Sequence, residues 1–241
     1  MTLKILKPSG KYLERQAQRS LLLAILCITT TLVLILVLTP KLPTRIDFGD
    51  YAVPLAIAIT LPIIGFWHYW RGYMSSKMGI EGEKRVTQFL QSKLSDDYYL
   101  INDVLYLNRK GWKENIDHIV LGPNGVFAIE TKHYSGNVAC KGSYWQVPFP
   151  FGRSPSSQAM GNAFWVNEAI KASHVLTLNV WVEPIVVFSN PHAKLEIIDP
   201  EIEVVTLDKL ADSIILYNNG YNFSPEQLRL MGEGILKRAP H

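Results

Sequence analysis

Two long apolar runs dominate the first third of the chain, and the remainder alternates in shorter periods. Residues 21–38 carry no charge, and residues 53–70 are also uncharged and end in Phe66, Trp67, Tyr69 and Trp70. Each run can cross a hydrocarbon layer of roughly 30 Å at about 1.5 Å per helical residue. Terminal aromatics suit the headgroup level. Run 21–38 is too long for a secretory leader, and Pro40 with Lys41 closes it where a small-x-small cleavage site would stand. Pro54 and Pro62 are tolerable near the start of a membrane helix and within it. The expectation is a transmembrane hairpin; two buried helices of a soluble core are the structural alternative.

Beyond residue 71 the periods are those of a folded domain. Residues 79–94 read as a helix, with Val86, Phe89, Leu90 and Leu94 on one face. Strands are expected over 98–105, 116–121 and 126–131, the last two joined by the turn Pro123-Asn124-Gly125. Shorter strands follow near Val138 and Tyr144, then a helix over 155–171 with Ala159, Ala163, Val166 and Ile170 on one side. Residues 182–189 form a β-branched core strand, Val204 and Val205 lead into a helix from Leu207, and Pro225 opens a last helix ending near Arg238. Mixed strands flanked by helices define an α/β sheet domain.

Charge fixes the orientation. Lys4, Lys7, Lys11, Arg15 and Arg19 precede the first run, and Arg71, Lys77, Lys84 and Arg85 follow the second. The connecting loop has Lys41 and Arg45 against Asp47 and Asp50. The positive-inside rule then puts residues 1–20, a basic N-terminal segment, and the domain 71–241 on the cytoplasmic face of a cell inner membrane, around the hairpin 21–70. From residue 71 onward 17 Lys and Arg face 18 Asp and Glu, so the net charge of +3 comes from the N-terminal part. A nucleic-acid reading therefore rests on a site, not on a basic surface. Only two cysteines are present, Cys27 and Cys140, far apart in sequence; no disulfide is expected.

Three acidic residues exceed what structure alone requires. Alternation puts Val126, Ala128, Glu130 and Lys132 on one strand face, so a carboxylate and an ammonium project together from an apolar strand. Asp117 lies on the neighbouring strand across the tight turn, and Glu83 shares the apolar face of its helix. Buried carboxylates repel one another and cluster where a cation offsets them. Metal-assisted phosphodiester cleavage uses such a set: Mg²⁺, or Mn²⁺ in its place, on Asp117 and Glu130, with the Thr131 carbonyl as a third ligand. Glu83 would hold a ligand water or a second ion, and Lys132 would orient or deprotonate the attacking water and offset phosphate charge. A hairpin with an Asp cap and a Glu–Lys surface pair is the structural alternative.

Other chemistry is thinner. His118 and His133 alternate to the faces opposite their acidic neighbours, which suits hydrogen-bonded histidines better than ligands. Trp112, Trp145, Trp165 and Trp181 are expected in the core, with Trp145 placed to stack on a base. Lys110, Lys113, Lys141 and Arg153 lie in loops near the site, as solvated charge or phosphate contacts. Gly-rich phosphate loops, zinc spacings and a Ser nucleophile elbow are missing from the sequence.

Gly79-Ile80-Glu81-Gly82-Glu83, then the unbroken stretch from Asn115 through Asp117 and Glu130 to Lys132, then Tyr134-Ser135-Gly136 and Trp145, resemble the nuclease-related domain (NERD) family. Ser154-Pro155 with Gln158 and Asn162 is similar to that family's Pro-x-x-Gln segment. The resemblance covers roughly 77–189, about half the chain. It implies a restriction-endonuclease-like mixed sheet flanked by helices, in the PD-(D/E)xK nuclease superfamily. It also implies catalytic roles for Asp117, Glu130 and Lys132, with Glu83 and Gln158 in support. The expected partner is nucleic acid, DNA ahead of RNA, with the bilayer as a second. The rival from another class is a catalytically silent nuclease fold that binds nucleic acid or a protein at the membrane.

Overall fold

The computed structural model describes residues 3–8, 12–38, 48–108, 111–147, 153–173 and 179–239. The chain divides into two compact units, Lys11–Ile80 and a second made of Met1–Gly10 with Glu81–His241.

In the first unit, α1 (Tyr12–Leu38) lies beside the leading part of α2 (Phe48–Lys93). Three α2 glycines seven residues apart make the seam. A methyl on Gly65 would lie 3.0 Å from Cys27 Sγ, one on Gly72 3.3 Å from Ser20 Oγ, and one on Gly79 3.0 Å from Leu13 Cδ1. As α2 numbers rise the α1 numbers fall by the same step, so the helices run antiparallel with a seven-residue repeat. Ala17, Ala24 and Ser76 are also buried here. Small side chains let two backbones approach closely, which is how helices associate where no water drives them together.

Two spans are expected from the sequence. Among the described residues one helix is long and apolar enough to cross a membrane, Tyr12–Leu36, with mean hydropathy 2.3 and 6% of its apolar window buried. Stretch 53–70 is helical within α2, where the side chains of residues 48–52 and 54 lie outside the description. The predicted helix 79–94 is the end of that same α2, because nothing between 71 and 78 breaks a helix.

The second unit is a sheet between two helical layers. Its strands are β1 (Lys4–Lys7), β2 (Tyr99–Leu107), β3 (Lys113–Gly122), β4 (Gly125–Lys132), β5 (Gly136–Lys141), β6 (Tyr144–Gln146), β7 (Val182–Phe188), β8 (Ala193–Ile198) and β9 (Glu203–Thr206). Its helices are α3 (Pro155–Ala172), α4 (Leu207–Ile215) and α5 (Pro225–Arg238), with the end of α2. Six strands pair in the order β1-β2-β3-β4-β7-β9, and β6-β5-β8 form a smaller sheet. The large sheet is mixed: β2–β3 and β3–β4 are antiparallel, while β1–β2, β4–β7 and β7–β9 are parallel. Between β4 and β7 the chain crosses over through α3, as parallel neighbours require.

Both sheet faces are covered, which explains the nearly continuous apolar runs of the central strands. Ile101, Ile119, Leu121, Val126 and Ala128 pack with Val166 and Ile170 of α3 and Leu228, Met231 and Ile235 of α5. Leu100, Val120, Phe127 and Ile129 face the other way, onto Val86 and Leu90 of α2 and Leu210 and Ile214 of α4.

The N-terminal residues depart from their expected place. Residues 1–20 read as one basic segment, but Lys4–Lys7 form an edge strand parallel to β2, with Lys4 opposite Tyr99 and Ile5 opposite Leu100. Leu3 is 6% exposed in the same core as Val86 and Leu90. Burying such a leucine contributes about 2 kcal/mol, to which the ladder adds its hydrogen bonds. Deleting residues 1–8 is therefore expected to lower thermal stability by several degrees; an unchanged melting temperature of the purified chain would refute this role.

Candidate active site

The site forms where β3 and β4 part. Their ladder runs from Gly122–Gly125 to His118–Ile129 and ends there. Beyond that point β4 stays paired with β7 from Glu130–Val186 to Lys132–Phe188, while β3 stays with β2. The freed backbone needs a partner, and Asp117 supplies it: its Oδ2 accepts from the Thr131 N–H at 2.7 Å.

On the other side of the fork stand Glu130 and Lys132. Lys132 Nζ donates to Glu130 Oε1 at 2.7 Å and to Gln158 Oε1 at 2.7 Å. Gln158 is aimed by α3, whose start is fixed by Ser154, accepting from the Ser157 N–H, and by Pro155 in the first turn. Its Nε2 donates to the Arg153 carbonyl at 2.7 Å. One helical turn on, Asn162 Nδ2 donates to Glu130 Oε2 at 2.9 Å. Both carboxylate oxygens of Glu130, which is 7% exposed, are thus engaged.

Glu83 enters from α2. Gly82 makes this possible, since a methyl there would lie 2.9 Å from His133 Cβ and 3.0 Å from Ser189 Oγ, too close for any side chain. Glu83 is hydrogen-bonded to Asp117 and repelled by Asp103 and Glu130. Burial first, then that repulsion, pushes its carboxyl up to about 8. Burial and the neighbouring Glu130 and Glu83 likewise raise Asp117 well above the carboxylate range, against the Thr131 N–H and Lys132. Lys132 moves the opposite way from most buried amines. Burial disfavours its charge, but Glu130, Tyr134 and Asp117 outweigh it and hold the ammonium above its ordinary value.

All five residues named as catalytic or supporting therefore converge: Asp117, Glu130, Lys132, Glu83 and Gln158. Thr131 joins through its N–H. Among the described residues, no three His, Cys, Asp or Glu side chains come together as a ready-made metal cage. His118 is fully buried with Nδ1 2.7 Å from Asn102 Oδ1, and burial lowers it to about 3; His133 Nδ1 meets Ser189 Oγ at 2.9 Å. Trp145 donates to Ser156 Oγ at 2.8 Å and stacks on Phe188, so it is committed to packing. Trp112 and Trp181, expected in the core, are exposed. Lys110 lies outside the described residues; Lys113 opens β3 and Lys141 closes β5.

Sequence reasoning missed Asp103. It is 6% exposed and takes a left-handed backbone, φ 53°, in the middle of β2, a conformation Asp tolerates better than most residues. A polar Asn102-Asp103 pair inside an apolar strand was the available signal. Also missed was the lattice beside the fork. Arg153 holds Glu114 through two 2.9 Å bonds, and the Tyr106 hydroxyl lies 2.7 Å from Glu114 Oε2 and 3.1 Å from Asn162 Oδ1. A cavity of about 200 Å³ opens between Glu114, Asn115, Glu130, Arg153, Gln158 and Asn162.

No solved structure matches the chain. An uncharacterized protein of Bacillus anthracis is 40% identical over 58 residues, which cover 24% of this chain and 27% of that protein. The chain thus spans about a quarter of that relative's length. Residues 78–189 match the family model described as NERD, nuclease-related domain, and this stretch, which supports a nuclease-related domain, contains every site residue named above.

Proposed function

We propose that the chain is a membrane-anchored, metal-dependent nuclease that hydrolyses phosphodiester bonds of DNA or RNA at the cytoplasmic face. One observation carries the reading: Glu83, Asp117, Glu130, Lys132 and Gln158 meet at the fork of β3 and β4 inside the stretch that matches a nuclease-related family. The donors fit Mg²⁺, or Mn²⁺ in its place. They are oxygens, and the raised Glu83 and Asp117 mark more carboxylate than the neighbouring cation offsets. A hard divalent ion needs only one or two carboxylates beside water and phosphate.

Asp117 and Glu130 would hold the ion, with the Thr131 carbonyl as a third ligand and Glu83 on a ligand water or a second ion. When bound, such an ion lowers the pKa of coordinated water and takes up phosphate charge. The chain's own part is placement and electrostatics. Lys132, held protonated by its neighbours, offsets charge gathering on the phosphate rather than taking a proton from water. Gln158 and Glu130 fix its ammonium from two sides. Asn162 keeps Glu130 in the rotamer that faces the fork.

Two membrane crossings are favoured by connectivity. β1 precedes α1, and its ladder partner β2 follows α2, so both strands share one compartment. A single crossing between them would separate the two partners, which supports a return through α2. Val53, Ile57, Leu61, Ile63, Ile64 and Trp67 of α2 are exposed apolar residues, as a lipid-facing return helix would have. Removal of α1 as a leader would also take β1 from the sheet.

The test is cleavage of labelled single- and double-stranded DNA and RNA by the full chain in detergent, with Mg²⁺, Mn²⁺ or EDTA, beside Glu130→Ala. Metal-dependent cutting that disappears in the variant is the expected result. No cutting by folded protein that binds nucleic acid equally in both forms would favour the silent module.

A further inference from the structure

A second cavity, of about 1070 Å³, lies beside the carboxylate fork and shares Glu114 and Arg153 with the smaller one. Its walls are unusual for a protein surface. Trp112 is 72% exposed and Phe164 47% exposed, and the Tyr106–Trp165 pair, with centroids 5.2 Å apart, lines it too. Exposed tryptophan is costly to leave in water, and aromatic faces grouped along one cavity are the usual platform for flat ligands.

Charge in the cavity is balanced. Arg153 is paired bidentately with Glu114, and Arg238 donates to the Glu168 carbonyl, so two guanidiniums stand among two carboxylates. Attraction to phosphate is therefore not what the cavity offers. It offers π faces with hydrogen-bonding groups at their edges, which matches a nucleobase and not a polyanionic backbone. Its volume exceeds that of one base, and a stacked duplex cannot present its faces to side chains.

We propose that this cavity is a subsite for unpaired bases next to the scissile phosphate, with Trp112 as the stacking surface, so that single-stranded nucleic acid is the preferred substrate. The inference rests on the nuclease reading above and adds the substrate class. Gly161 of α3 keeps the cavity open: a methyl there would meet only the Arg153 guanidinium, at 3.4 Å. A larger residue at this helical position improves helix propensity while filling the space, and a thermal melt of the variant separates lost binding from lost fold.

The experiment measures binding of fluorescent oligothymidine, oligouridine and a duplex to the full chain in detergent with EDTA, which stops hydrolysis, and then cleavage with Mg²⁺. Wild type is expected to prefer the single strands and to show quenching of tryptophan emission that Trp112→Phe loses. Trp112→Ala and Gly161→Leu should each weaken single-strand binding by about tenfold and raise KM with little change in kcat. The oligothymidine and oligouridine arms separate DNA from RNA. Wild-type affinity retained in both variants, with cleavage of single strands and duplex alike, would overturn the subsite and leave the nuclease standing. No binding and no cutting of any substrate by wild type would overturn both.

Discussion

Lys132→Met is expected to lower cleavage by about 10³-fold and, unlike an ordinary active-site change, to unsettle the fold as well. The ammonium lies 2.7 Å from Glu130 Oε1 in a site where Glu83, Asp103 and Asp117 already crowd. Removing it leaves the Glu130 carboxylate buried without its cation, a loss on the order of 3 kcal/mol when a buried pair is broken from one side. Adding Glu130→Gln to that variant should recover most of the stability and none of the activity, because the uncompensated charge is gone and the charge-offsetting group is not restored. Thermal melts and single-turnover rates on the four members of the cycle decide it. A Lys132→Met protein that cuts within a few-fold of wild type would sink the assigned role.

Glu83→Gln is expected to stabilise the metal-free protein while abolishing its activity. The Glu83 carboxyl is raised from 4.5 to about 8 by burial and by repulsion from Asp103 and Glu130. As pH rises between those values, the unfolded chain gives up a proton that the folded chain retains, so folding stability falls across that window and levels off above it. Glutamine has no proton to give up and still reaches Asp117. The variant should therefore gain on the order of 2 kcal/mol at pH 8 in EDTA, or about 5 °C in melting temperature, and show a shallower decline from pH 5 to pH 8. Asp117 remains, so the decline is reduced, not removed. Mg²⁺ should raise the wild-type melting temperature at pH 8 more than the variant's, since the ion relieves the same repulsion. A variant that melts at or below wild type in EDTA would contradict this account.

Much of the site was legible because its signals are local. Strand alternation put Glu130 and Lys132 on one face, the Pro123-Asn124-Gly125 turn brought Asp117 across, and helical phase pointed Glu83 inward. Gln158 came with the family resemblance, and Ser154 and Pro155 supply its physical reason by fixing where α3 starts. What stayed hidden depends on distance or on backbone shape. Four residues, Lys4–Lys7, carry no strand signature of their own, and the partner that makes them a strand lies some ninety residues away across the first unit. Asp103 faces the site through a left-handed turn of the backbone, which no two-residue period encodes. The tryptophans misled because composition says core; Trp112 lies exposed just before β3, its backbone N–H donating to Asn108 Oδ1 at 3.0 Å. β8 was missed although Ala193, Leu195 and Ile197 alternate with exposed neighbours, a signal too short beside the longer β7.

The pairing of β1 with β2 makes residues 11–80 an insert and the sheet-bearing unit its host. Both joints of the insert fall in one folded body, at residues 10 and 81, so the host's sheet is a clasp across them. A break in the chain between α1 and α2 would leave the N-terminal fragment still held by its ladder to Tyr99, Leu100 and Ile101. Exchanging 11–80 for a short linker would keep every strand of the host, whereas starting the chain at residue 71 removes its first one.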